Sequence, residues 1–318
     1  MMRSEHLPQN AENLEASRLE AALAVPMDLA RAIAQWTKGK NRFDPLIPGL
    51  SLHHWDAPTE PTSYMLAPSI CLIGQGRKRV FLGEGAYAYD AHRFLITSLD
   101  LPVTAQIIEA SPEKPYLGLT LELDLRVLAQ LMLDHPATAP RSPQDKLGIA
   151  VSELSPSLLD AFGRLLGLLA HPDDIPALAP LIKQEIFYRL LTGDQGPRLR
   201  QIVSVESHGH QIARAIGWLK DNFRKPFKVE DLAAATGLSV SAFHAHFRAM
   251  TAMSPLQFQK KMRLSEARRL MFTENMDAGA AAFEVGYESP SQFSREYSRL
   301  FGAPPLRDIK NLSQVSAG

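Results

Sequence analysis

The hydrophobic pattern changes period along the chain. Residues 1 to about 20 form a polar tail, and Met27 to Lys38 carries apolar residues at helical spacing, predicting a short helix. Between about Leu50 and Asp124 the period falls to two, with turn signals at Gly74-Gln75-Gly76 and Gly83-Glu84-Gly85. The clearest strand sets Leu117, Leu119, Leu121, Leu123 and Leu125 against Gly118, Thr120, Glu122 and Asp124, predicting one buried and one wet face. Further runs at Lys78–Leu82, Tyr87–Tyr89, Phe94–Thr97 and Val103–Ala110 predict an antiparallel sandwich or small barrel. From about Leu125 the pattern is helical again. Leu158, Leu159, Phe162, Leu165, Leu166 and Leu169 mark a helix over Pro156–Ala170; Ile182, Ile186, Phe187, Leu190 and Leu191 mark another over Ala179–Gly193. These helices either cover the sheet or offer surplus apolar surface to a partner subunit. Gly193-Asp194-Gln195-Gly196-Pro197 ends the second and marks a boundary, beyond which everything reads as helix.

That last region repeats itself. Ala233, Gly237, Phe243, Phe247 and Ser254-Pro255 return as Ala282, Gly286, Phe293, Tyr297 and Pro304-Pro305, at an offset of 49 that becomes 50 after the glycine, so the second unit has one extra turn residue. The alanine permits a close helix crossing. The glycine can take the positive φ that ends one helix and opens a tight turn, and aromatics four apart pin the next helix onto the first. This is helix-turn-helix geometry, whose second helix can enter a major groove.

With the aromatics inward, a rotation of about 100° per residue turns Ser241, Ala245 and Arg248 outward, with His244 beside them. In the second unit it turns Ser291, Ser294, Arg295 and Ser298 outward. These small, polar and basic residues suit groove entry and equally a solvated face. Between the units lies Pro255–Phe272, a helix with Lys260, Lys261, Arg263, Arg268 and Arg269 that either touch phosphates or face solvent.

Composition adds limits. The 318 residues suggest two domains, placed at 1–196 and 207–318. The net charge of zero hides an excess of +4 from Gln201 onward, a mild basicity in the helical part alone. No apolar run approaches a membrane span and no leader pattern opens the chain, which predicts a cytoplasmic protein. One cysteine, Cys71, excludes an intrachain disulfide; in its apolar strand it is either a small buried hydrophobe or a redox or electrophile sensor.

From about Ile212 to Ile309 the chain resembles the DNA-binding domain of AraC/XylS-type regulators, most specifically through Ala282-Phe-Glu-Val-Gly-Tyr-Glu-Ser-Pro-Ser-Gln-Phe-Ser-Arg-Glu-Tyr and Phe301-Gly-Ala-Pro-Pro305. The resemblance implies two recognition helices in adjacent major grooves, Val240–Arg248 and Pro290–Ser298, with double-stranded operator or promoter DNA and RNA polymerase as partners. From Tyr64 to about Met132 the chain resembles the companion domain of one AraC subgroup, through Gly74-Gln-Gly-Arg-Lys78, Leu82-Gly-Glu84, Tyr87-Ala-Tyr-Asp90 and Ser98-Leu-Asp-Leu-Pro-Val103. This implies a cupin-like barrel used for sensing an effector or for homodimerisation. The fold class is then α+β: an N-terminal antiparallel cupin-like β-barrel with helices, and a C-terminal all-α domain with two helix-turn-helix units joined by a helix. One departure is Ala245, where the family often has an arginine; alanine can touch a thymine methyl but cannot make a bidentate guanine contact.

The competing reading is a metal-dependent cupin-type enzyme fused to a DNA-binding domain. Such enzymes need a His-x-His pair on a strand. Here His53 and His54 are adjacent and face opposite ways, while His92 stands among turn residues. The sequence therefore predicts no catalytic residues, metal or cofactor. It leaves open the effector, the operator sequence, and activation versus repression.

Overall fold

The computed structural model describes residues 29–135, 147–204 and 207–316. The predicted polar tail and the start of the Met27–Lys38 helix lie outside them; residues 29–36 are helical (α1) and deliver Leu29, Ala30 and Ile33 to a core. Ten strands follow among the described residues: β1 (Arg42–Phe43), β2 (Leu50–Trp55), β3 (Thr62–Leu66), β4 (Ser69–Gln75), β5 (Arg77–Leu82), β6 (Gly85–Tyr89), β7 (Arg93–Thr97), β8 (Leu101–Glu109), β9 (Tyr116–Glu122) and β10 (Ile149–Glu153). They form two antiparallel sheets, ordered β1-β2-β9-β4-β7-β10 and β3-β8-β5-β6.

The helices of this half are α2 (Leu125–Asp134), α3 (Pro156–Gly167), α4 (Ile175–Thr192) and α5 (Gly196–Val203). Asp124 caps α2 by accepting from the Arg126 and Val127 amides, and Ser155 caps α3. Leu158, Phe162 and Leu165 of α3 and Ile186, Phe187 and Leu190 of α4 pack on Leu52, Ile70, Leu72, Leu119 and Leu121, on one face of the six-stranded sheet. The other face, with Cys71, Ile73 and Leu95, packs on Val80, Leu82, Val103 and Ile107 of the smaller sheet.

The larger sheet is thus the middle layer of three, which corrects the wet face predicted for the leucine ladder. Gly118 is buried and Thr120 half-buried between the sheets, and within the strand Glu122 alone is exposed. The ladder is also shorter, since Leu123 lies in the connection and Leu125 begins α2. β10 falls where the sequence reads as helical; five residues with weak alternation gave it no signal, and pairing with β7 fixes it as a strand. The helix predicted over Ala179–Gly193 begins earlier, at Ile175.

The C-terminal helices are α6 (His208–Asn222), α7 (Val229–Thr236), α8 (Val240–Thr251), α9 (Pro255–Thr273), α10 (Ala278–Glu284), α11 (Pro290–Phe301) and α12 (Pro305–Ser316). The core between the sheets runs on into Ile212, Ile216, Leu219, Leu232, Phe243, Phe247 and Phe258, so α6 to α9 share it. α10 and α11 close a separate core around Ala281, Ala282, Phe293 and Tyr297.

His53 gives the inside of the sandwich a pH signature. It hydrogen-bonds with Ser51 Oγ at 3.2 Å, and burial, then the nearby Lys78 and Arg42, push its pKa down to about 3. The unfolded chain binds the proton at the ordinary value of 6.5 and the folded chain does not, so this stability is present above about pH 6.5 and is lost as pH falls toward 3. From pH 7 to 5 the loss should be about 2 kcal/mol. Urea midpoints for wild type and His53→Asn at both pH values check this; equal pH slopes would refute it.

Candidate nucleic-acid interface

Both repeated units fold as the spacing predicts. Gly237 ends α7 at φ +75° and Gly286 follows α10 at φ +88°. Ala233 and Ala282 are buried at the helix crossings, and Phe243, Phe247, Phe293 and Tyr297 are wholly buried. The extra residue of the second unit lies in its turn, between α10 and α11. Ser239 and Ser289 start the second helix of each unit by accepting from the Ala242 and Gln292 amides, and Pro290 occupies the first turn, where its missing N–H costs nothing.

The first outward face is as predicted. Val240, Ser241, His244, Ala245 and Arg248 are all exposed, while His246 turns back to stack on His208 at 4.0 Å. In the second unit Pro290, Ser291 and Arg295 are exposed, but Ser294 and Ser298 are only half-buried, and the Ser298 hydroxyl donates to the Ser294 carbonyl at 2.8 Å. Gln292 and Arg299 are exposed on α11 and were missed. Arg299 was legible, since it follows Arg295 by four residues and shares its face.

α9 joins the units. Its start is a full capping box: Ser254 Oγ accepts from Gln257 N and Gln257 Oε1 accepts from Ser254 N. Nineteen residues make it about 28 Å long, near one DNA turn of roughly 34 Å. The basic row, expected either to touch phosphates or to face solvent, is largely engaged within the protein. Lys260 pairs with Glu296 at 2.9 Å, and Arg263 donates to the Phe223 and Gly286 carbonyls at 2.6 and 3.0 Å. Arg268 binds Asp308 at 2.7 Å, and Arg269 bridges Glu266 and Glu274. Lys261 is half-buried and its pKa is lowered by that burial. Lys260, by pairing with Glu296 of α11, and Arg263, by spanning the Phe223 and Gly286 carbonyls, tie the units to α9, while the ion pairs of Arg269 stay within α9 and its cap.

The N-terminal half touches both units. Gly148 N donates to Met250 O at 2.8 Å near the end of α8, and Lys220 of α6 pairs with Asp100 at 2.8 Å. Arg268 Nη1 donates to Ser63 O at 3.3 Å, and Ser63 Oγ to Leu300 O at 3.5 Å.

Among the described residues no group of three His, Cys, Asp or Glu side chains stands where it could hold a metal. His53 faces into the sandwich, His54 bonds Asp56 at 2.9 Å on the other side, and His92 is exposed in a turn. Cys71 is buried between the sheets, with the Thr120 hydroxyl donating to it at 3.6 Å. No single helix among the described residues is long and apolar enough to cross a membrane.

The model of the AraC-type transcriptional regulator N-terminus matches residues 46–198, and that of a helix-turn-helix domain matches 232–310. The chain belongs to the AraC-type transcriptional regulators. Within this group it is 27% identical over 170 residues to the HTH-type transcriptional regulator ExsA of Pseudomonas aeruginosa, covering 54% of this chain and 60% of that protein. It is 25% identical over 171 residues to the HTH-type transcriptional activator RhaS of Salmonella paratyphi A, covering 53% and 60%. The chain thus matches less than two thirds of the length of either relative. ToxT of Vibrio cholerae, in a structure with an unsaturated fatty acid bound, has a similar fold: TM-score 0.55 at 10% identity, covering 82% of this chain and 94% of ToxT. That likeness spans both halves, so the arrangement of β-rich N-terminal and helical C-terminal parts is that of a known AraC-type architecture.

Proposed function

We propose that this chain is a sequence-specific, double-stranded-DNA-binding transcription regulator, with 207–318 as the DNA-binding domain and 1–196 as the effector-sensing and dimerisation domain. The observation that carries it is the pair of helix-turn-helix units fixed on one helix, each with a wholly buried aromatic pair and an exposed face of small and basic residues. Val240, Ser241, His244, Ala245 and Arg248 form the first reading face; Pro290, Ser291, Ser294, Arg295 and Ser298 form the second. RhaS is by name an activator, and activation through RNA polymerase is the corresponding proposal here. ToxT with its fatty acid supports a small-molecule effector. An exposed strip of Leu178, Leu181 and Tyr188 on α4 supports a homodimer through the N-terminal half.

The two reading helices do unequal work in this proposal. Arg295 is exposed on α11 where α8 has Ala245, and a major-groove arginine donates two hydrogen bonds to guanine O6 and N7. Arg295→Ala should cost roughly 1–3 kcal/mol on the best operator and relax preference mainly at one base position. Selection from random DNA with both proteins tests this, and a dimer would show as two copies of the site in the wild-type logo. Identical logos would make Arg295 a phosphate contact or a solvated residue; no enriched sequence at all would refute the regulator reading.

A further inference from the structure

Glu296 stands where three elements of the second unit meet. It projects from α11, and its side chain keeps only 15% of its surface. Oε1 accepts from Lys260 Nζ of α9 at 2.9 Å and from Gln292 Nε2, one turn earlier on α11, at 3.3 Å. Oε2 accepts from the Tyr287 hydroxyl, in the turn before α11, at 2.8 Å. Tyr287 is itself buried and lies edge-on to Phe293 at 5.4 Å. The carboxylate is thus fixed from the linking helix and from the turn, and neither support involves Gln292.

Gln292 is the side chain that this carboxylate holds. It is exposed in the first turn of α11, the part of a recognition helix that reaches base edges. It precedes Arg295 by three residues and so neighbours it on the helix surface. Paired with Lys260, Glu296 is ionised and can only accept, so it must meet the amide nitrogen of Gln292. Turned over, the amide would set its carbonyl against the carboxylate. Nε2 carries two hydrogens, and Glu296 takes one. The other hydrogen and Oε1 remain, a donor beside an acceptor, and among the described residues nothing donates to that Oε1. Adenine offers the complement in the major groove, N6–H beside N7, whereas guanine offers two acceptors there.

We propose that Gln292 reads an adenine and that Glu296 is its positioning residue, fixing which way the amide faces. A free glutamine can turn its amine toward guanine O6 or its carbonyl toward cytosine N4; one held by Glu296 keeps the pattern that suits adenine. Residues three apart are separated by about 4.5 Å along a helix, against about 3.4 Å per base-pair step. The adenine column should therefore lie within about two base pairs of the column that Arg295→Ala relaxes. The inference rests on the DNA-reading proposal for α11.

Sites are selected from random double-stranded DNA with full-length wild type, Gln292→Ala, Glu296→Ala and the double variant, and the best operator is compared with copies changed at single positions. The wild-type logo should contain an adenine column that Gln292→Ala flattens, with a loss of preference there of about tenfold. Glu296→Ala should blunt the same column, admitting guanine or cytosine, and should add nothing to it once Gln292 is alanine. A logo untouched by Gln292→Ala, or changed only at a column that is not adenine, overturns the proposal. So does a Glu296→Ala protein that weakens all sequences alike, or that loses as much with Gln292 absent as present, since such a carboxylate serves the fold alone. Should Glu296→Ala not fold, Glu296→Gln, which keeps the size and an acceptor but not the charge, replaces it with the same expectations. A wild-type protein that enriches no sequence would overturn the regulator reading itself; a sharp logo indifferent to Gln292 would overturn this inference and leave that reading standing.

Discussion

Asp308→Ala should destabilise the protein by about 3–5 kcal/mol, the cost of stranding a buried charge. Asp308 and Arg268 keep only 9% and 14% of their side-chain surface, and Arg268 meets both carboxylate oxygens, at 2.7 and 2.8 Å. The Tyr297 hydroxyl donates to Asp308 Oδ2 at 2.7 Å, and the guanidinium lies over the Phe301 ring at 4.5 Å. Removing the carboxylate leaves a guanidinium and a phenol without their acceptor among α9, α11 and α12. The double change Arg268→Met, Asp308→Leu should recover most of the loss, because an apolar pair of similar volume replaces a buried ion pair at little cost. Urea denaturation of the two singles and the double measures the coupling. A loss below about 1 kcal/mol for Asp308→Ala would mean that the pair is hydrated and its geometry incidental.

Gly286→Ala should cost about 3 kcal/mol or more, and Gly237→Ala only about 1, although the two glycines occupy the same place in the repeat. Both have positive φ, so both substitutions carry the left-handed penalty of an L side chain. Their surroundings differ. A Cβ at Gly237 meets nothing within 4 Å, whereas one at Gly286 would stand 2.0 Å from the Arg224 carbonyl oxygen. That oxygen is backbone, held in a loop tied down by the Arg224–Glu284 ion pair at 2.6 Å and by Arg263 on the Phe223 carbonyl, so it has little freedom to retreat. Equal losses for the two variants, by urea midpoint, would show that the second turn moves as a free hinge.

The repeat was the most legible part of the chain because its determinants are local: an alanine at a crossing, a glycine at a turn and aromatics one helical turn apart. The outward face of the first unit followed from the aromatics by rotation alone, whereas in the second Ser294 and Ser298 are half-buried. Where the sequence reading fell short, a distant neighbour decided the outcome. Glu122 belongs to a wet face, but Thr120 does not, because the second sheet covers it. The arginines of α9 carry no mark to say that the Phe223 and Gly286 carbonyls, the Ser63 carbonyl of β3 and the Asp308 carboxylate of α12 engage them. Cys71 remained an apolar strand residue between two alternatives, and the structure places it in the core. Lys78 did carry a signal: it stands in phase with Val80 and Leu82, which assigns it to the inside of a sheet whose other inward residues are apolar.

Among the described residues β3 is an edge strand, paired with no strand but β8, and such edges recruit stray strands when left open. Here the guard comes from the other half of the molecule, since Arg268 of α9 donates to the Ser63 carbonyl and α11 lies alongside. The N-terminal half should therefore be less soluble without the C-terminal one. Expressed by itself, it would present β3 unguarded and tend to self-associate through that edge, an association that says nothing about the native dimer.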